Sequence, residues 1–128
     1  MIGLLIGLLA AVPPMVVVDE KQVMVREVPP HDGTGMSTAY RMSDRAPGRT
    51  MEFRKRALDK GASIGLHVLG HDEVYYVVSG GGTVMSDGVS AKLAPGMAAY
   101  LYTGANVGIV QAGAEPLVLI IAYPVVKK

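Results

Sequence analysis

The chain has no cysteine, no tryptophan and a single phenylalanine in 128 residues. Without cysteine there can be no disulfide, no thiolate metal ligand and no cysteine nucleophile, and the redox compartment is left open. With Phe53 and six tyrosines as the only aromatics, the core must be filled by Val, Leu, Ile, Ala and Met. Strong charge of either sign is also missing. Twelve Lys and Arg against eleven Asp and Glu leave a net charge of +1, which argues against nucleic acid, whose binding calls for a dominant basic face. No apolar run is long enough for a stable membrane span. Residues 1–12, MIGLLIGLLAAV, match the length of an export-signal core and fall short of a bilayer-crossing helix. The run lacks a leading Lys or Arg and is followed by Pro13 and Pro14, a poor cleavage site. Two outcomes follow: a periplasmic or secreted protein if the run directs export, or a cytoplasmic one in which a retained apolar segment must be covered.

What the chain does contain is a series of short β-prone runs bounded by Gly, Pro or Asp. Residues 15–18 and 22–28 are the first, followed by 51–58, 64–68, 73–78, 83–86, 89–93, 98–102, 107–111 and 117–123. Between them, residues 29–50 read as a long irregular arm rich in Gly, Pro, Ser, Thr and Asp, with Met36, Tyr40 and Met42 as anchors. Asp87-Gly88 predicts a two-residue hairpin, because a type I′ turn needs positive φ at both central positions. With no amphipathic helical window, the pattern predicts an all-β barrel or sandwich of one domain's size. The organisation expected is an N-terminal apolar segment and arm over 1–50 and a barrel over 51–126.

Chemistry concentrates in residues 61–80, GASIGLHVLGHDEVYYVVSG, which hold His67, His71, Asp72 and Glu73, and so two of only three histidines. The spacing Gly61, five residues, His67, then Glu73, six residues, Gly80 resembles the first signature motif of the cupins, small jelly-roll barrels. Gly96, Gly104, Val107 and Gln111 are similar to the second, and residues 81–95 separate the two by the usual interval. The resemblance covers the second half of the chain. It implies a jelly-roll, double-stranded β-helix barrel carrying an N-terminal extension, and pairing through the sheets into a homodimer. It also implies a metal site, but a degenerate one. Leu69 and Val107 stand where two family histidines would be, and Tyr102 replaces a customary proline.

Strand parity suggests how such a site could be rebuilt. Glu73, Tyr75 and Val77 share one face, and Val107, Ile109 and Gln111 share another. His67, His71, Glu73 and Gln111 could then converge on one divalent ion such as Zn, Fe, Mn or Ni. Simpler roles stand beside this: His71 in a solvated loop, His67 paired with Glu73 without metal, and Gln111 bonded to backbone. Seven of the twelve basic residues fall between Arg41 and Lys60. If Arg54 and Arg56 share the face of inward Leu58, a guanidinium reaches the lumen and can grip a carboxylate or phosphate; salt bridges to Glu52 and Asp59 are the alternative.

Three functions are therefore expected to compete. The first is a barrel that binds a small polar or anionic molecule through His67, Glu73, Tyr75, Gln111 and Arg54, in a pocket lined by Leu69, Val77, Val107 and Ile109. The second is an enzyme of dioxygenase or isomerase type. It would use His67, His71 and Glu73 on a metal, or His67, Glu73 and Tyr75 as candidate catalytic residues without one. The third is a structural or assembly protein.

Overall fold

The computed structural model describes residues 11–125 as two antiparallel sheets packed face to face. In chain order the strands are β1 (Met24–Glu27), β2 (Ser37–Tyr40), β3 (Met51–Leu58), β4 (Ser63–Val68), β5 (Glu73–Ser79), β6 (Gly81–Ser86), β7 (Val89–Leu93), β8 (Ala98–Leu101), β9 (Asn106–Ala112) and β10 (Leu117–Pro124). One sheet has the order β1-β2-β3-β10-β5-β8 and the other β4-β9-β6-β7. This is the all-β jelly roll expected. Residues 1–10, and with them most of the apolar run considered as an export signal, lie outside the described residues. Among the described residues, no helix is long and apolar enough to cross a membrane.

Eight of the expected strands, from 51–58 onward, correspond to β3 through β10 within two residues at each end. The hairpin also forms as expected: Asp87 and Gly88 have φ of 48° and 79° and join Ser86 to Val89 in register. The upstream expectations are corrected in two places. Residues 15–18 form no strand, since among the described residues no partner strand lies alongside them. The arm over 29–50 is not wholly irregular. Within it β2 pairs with β3, and β1 pairs with β2, so the large sheet begins upstream of residue 51.

The interior divides lengthwise. On β3, Leu58 is fully buried among apolar side chains, whereas Arg56, Arg54 and Glu52 continue the same inward row toward the other end. On β10 the row runs from Leu117 and Leu119 to Ile121 and Tyr123, and on β5 from Val77 through Tyr75 to Glu73. Leu69, Val77, Val107 and Ile109, expected to line a pocket, instead pack with Leu58, Leu117 and Leu119 as solid core. The cavity lies at the polar end.

Candidate functional site

That cavity holds about 190 Å³, the liquid volume of roughly six waters. Its walls include Glu27, His31, Arg41, Arg54, Arg56, His67, Glu73, Tyr75 and Tyr123, with Ala39, Ile64 and Ile121 as the apolar part. Of the residues singled out from sequence, it brings together His67, Glu73, Tyr75 and Arg54.

A bulge in β4 aims His67. Ile64 pairs with Ile109 and His67 with Val107, so three steps on β4 oppose two on β9, and both Ile64 and His67 turn inward. Strict alternation would have put His67 on the outside. Nδ1 of His67 lies 2.8 Å from the Gly65 carbonyl, to which it donates, and among the described residues Nε2 makes no hydrogen bond. Gly65 is required here, since a methyl at that position would sit 1.8 Å from the His31 carbonyl oxygen. Its N–H instead donates to the Pro30 carbonyl at 3.3 Å, drawing the arm across the lumen.

Opposite stands the basic wall. Arg56, 7% exposed, donates to Ser37 Oγ at 2.8 Å and to Glu27 at 3.3 Å. Arg41 holds both Glu27 oxygens at 2.9 Å. Burial alone would raise the Glu27 carboxyl, but Arg41 and Arg56 keep it below the usual carboxylate range. Arg54 reaches Asp44 at 3.3 Å and Glu52 at 3.5 Å, and its guanidinium carbon lies 5.9 Å from the centre of the Tyr123 ring. Its Nε is buried and has no acceptor among the described residues.

Glu73 is 7% exposed, and burial pushes its carboxyl upward against the opposing influence of His71, His67 and the Tyr75 hydroxyl. Burial, and then Glu73 itself, push Tyr75 upward, so its hydroxyl keeps its proton. Arg41, Arg54, Lys55 and Arg56 line this space against Glu27 and Glu73, so cationic side chains outnumber carboxyls. The cavity is therefore electropositive on balance.

Two sequence expectations are corrected. Gln111 is buried away from the cavity. Its Oε1 accepts from the Gly61 N–H at 2.8 Å, and its Nε2 donates to the carbonyls of Ala112, Gly113 and Glu115 at 3.2, 2.9 and 2.7 Å. Every polar atom of that amide is occupied by backbone, so Gln111 fastens a turn and faces no ligand. His71 precedes β5, sets Nδ1 3.1 Å from the Asp72 carbonyl, and stacks on Tyr123 at 4.4 Å. The quartet His67, His71, Glu73 and Gln111 does not converge. Among the described residues, no group of three His, Cys, Asp or Glu is placed to hold a metal ion. The donor set does not fit the divalent ion that the family motifs imply.

Residues missed from sequence are Glu27, His31, Arg41 and Tyr123. Tyr123 was within reach of parity, since it continues the row Leu119 and Ile121. His31 was not, because it reaches the site through a turn in which His31 and Asp32 take φ of 60° and 57°.

No protein-family model matches the sequence, and no curated protein is similar to it. Solved structures are similar. A predicted oxalate decarboxylase from Thermotoga maritima superimposes with a TM-score of 0.76 at 21% identity, over 87% of this chain and 100% of that one. A polyketide cyclase from Streptomyces resistomycificus gives 0.72 at 18%, over 87% and 80%. An RmlC-like cupin from Shewanella frigidimarina gives 0.62 at 24%, over 72% and 78%. The chain has the fold of the cupin superfamily, and the differing chemistries named for these proteins show that the fold does not choose a reaction.

Proposed function

We propose that the lumen binds a small organic anion, with its carboxylate or phosphate against Arg54 and its polar remainder against His67, Glu73 and Tyr75. The observation that carries this reading is the set of cationic side chains on the cavity wall, Arg41, Arg54 and Arg56, against the two carboxyls of Glu27 and Glu73. Among the described residues Arg54 is the least tightly held of the three, with no ion-pair contact shorter than 3.3 Å. The long contacts of the same guanidinium to Asp44 and Glu52 leave room for a two-pronged grip.

The test is thermal stabilisation by a panel of small carboxylates, sugar acids and sugar phosphates, followed by calorimetry on those that work. A ligand at a hundred times its Kd stabilises by about 2.7 kcal/mol. Arg54→Leu should abolish the shift. A panel without a stabilising compound would remove the proposal.

Glu73 favours a second reading. A carboxyl raised by burial, sharing a cavity with His67 and Tyr75, suits proton transfer to and from a bound acid. Solvent deuterium should then enter a carbon-bound position of the ligand, and the exchange should stop in Glu73→Gln while binding through Arg54 persists.

A homodimer is the assembly we propose. Its support is the outer face of the six-stranded sheet, where Phe53, Tyr76, Val78 and Tyr100 stand exposed.

A further inference from the structure

The hydrogen-bonding groups that the cavity presents to a guest are of two kinds, and the two kinds come from different strands. Arg54 and Arg56 belong to β3, and Arg41 follows β2. A guanidinium has donors only. Glu27, the carboxylate on this side, is already filled by Arg41 on both oxygens and by Arg56. What this wall offers is N–H.

The wall built from β4 and β5 offers the reverse. His67 uses its Nδ1–H on the Gly65 carbonyl at 2.8 Å, so the neutral ring has a lone pair at Nε2, to which nothing donates among the described residues. Glu73 lines the cavity, and an ionised carboxylate can only accept. The Tyr75 hydroxyl gives its hydrogen to Glu73 and keeps its own lone pairs. Three acceptors therefore line this side, with no N–H or O–H left over among them. His31 and Tyr123, each able to donate or to accept, do not change the sign of either wall.

We infer that the guest is a compact hydroxy acid, its carboxylate against the guanidiniums and its hydroxyl donating to Glu73 or His67; this rests on the lumenal anion site proposed above and narrows it. An oxo acid of the same skeleton has acceptors only and leaves the acceptor wall unpaired. An amino acid does bring donors, but its ammonium enters a cavity where cationic side chains outnumber carboxyls. Size is limited as well. A space of about 190 Å³, the liquid volume of roughly six waters, encloses a skeleton of roughly three to five carbons and excludes a nucleotide.

Calorimetry on matched pairs tests the inference, at about pH 8, where ordinary carboxylates are ionised and ordinary imidazoles neutral. The pairs are lactate with pyruvate, 2-hydroxybutanoate with 2-oxobutanoate, and 2-hydroxyglutarate with 2-oxoglutarate. In at least one pair the hydroxy acid should bind tighter by about tenfold or more, the effect of leaving one buried hydrogen-bonding group unpaired. Glu73→Gln keeps the shape and adds an N–H to the acceptor wall, so it should narrow that gap by about threefold or more. His67→Phe, which removes the lone pair and keeps a ring against His31, should narrow it too. Arg54→Leu should weaken both members of the pair alike. Equal affinities within every pair, tighter binding of the oxo acids, or a preference that survives both Glu73→Gln and His67→Phe overturns the inference and leaves the anion site standing. Absence of binding by every member also overturns it, and the anion site falls with it only if the wider panel of acids stabilises nothing.

Discussion

The imidazole of His31 lies flat on that of His67, with ring centres 3.5 Å apart and planes 5° from parallel. One ring comes from the arm and the other from the bulge of β4, so the contact ties the arm to the barrel over the cavity. It is also a contact that a proton weakens. Burial first, then His67 and Arg56, hold His31 below the ordinary imidazole value, with Asp32 opposing.

A histidine lowered in the folded state adds nothing above its unfolded value of about 6.5 and costs stability once the unfolded chain binds the proton more readily. The melting temperature should therefore fall as pH drops below about 6.5. His31→Gln should flatten that part of the curve. An unchanged slope in the variant would show that the stack is not the sensitive element.

Glu73 carries the opposite sign to an ordinary surface carboxylate. Its folded-state value is raised by burial, so stability present at acid pH is lost as the group ionises. Glu73→Gln should stabilise the protein at pH 7 by on the order of 1 kcal/mol. A destabilised variant on denaturant titration would mean that the charged form makes contacts outweighing its burial.

Glu52 behaves in the usual direction and more strongly. Arg49 donates to it at 2.7 and 3.1 Å and Ser43 at 2.7 Å, and these bonds hold its carboxyl down to about 2. Its contribution is therefore complete above the unfolded value and disappears as pH falls through about 2. Glu52→Gln should cost about 1–3 kcal/mol at pH 7 and progressively less in acid, measured by urea unfolding across the range.

Gln111→Leu separates a fastening role from a binding one. It strands the Gly61 N–H and three carbonyls, and should cost about 2–4 kcal/mol while leaving affinity for any lumenal anion unchanged. Reduced affinity with unaltered stability would return Gln111 to the site.

From Met51 onward the fold was legible because each strand is short, alternating and bounded by Gly, Pro or Asp. Those are local signals, and the Asp87–Gly88 turn obeys them. The inward arginines were legible too, since Arg54 and Arg56 share parity with Leu58. Bulges, turns and single side chains were harder. The extra residue in β4 reverses the facing of His67, which alternation alone cannot anticipate. Left-handed φ at His31 and Asp32 depends on the Gly65 gap across the barrel, a relation between segments more than thirty residues apart. Gln111 has the same parity as Val107 and Ile109, yet its position at the far end of β9 places it beside Gly61. Parity gives the face of a residue and not its height along the barrel.

The last strand, β10, sits between β3 and β5, and no other element joins those two within their sheet. Arg54 and Glu73 belong to the separate halves that it unites. A ribosome must therefore have made β10, through residue 124, before the two can face each other, and closure waits on a pairing that links distant parts of the chain. Such an order of events favours slow folding. A product truncated before Leu117 would keep both side chains and have no chamber to hold them in.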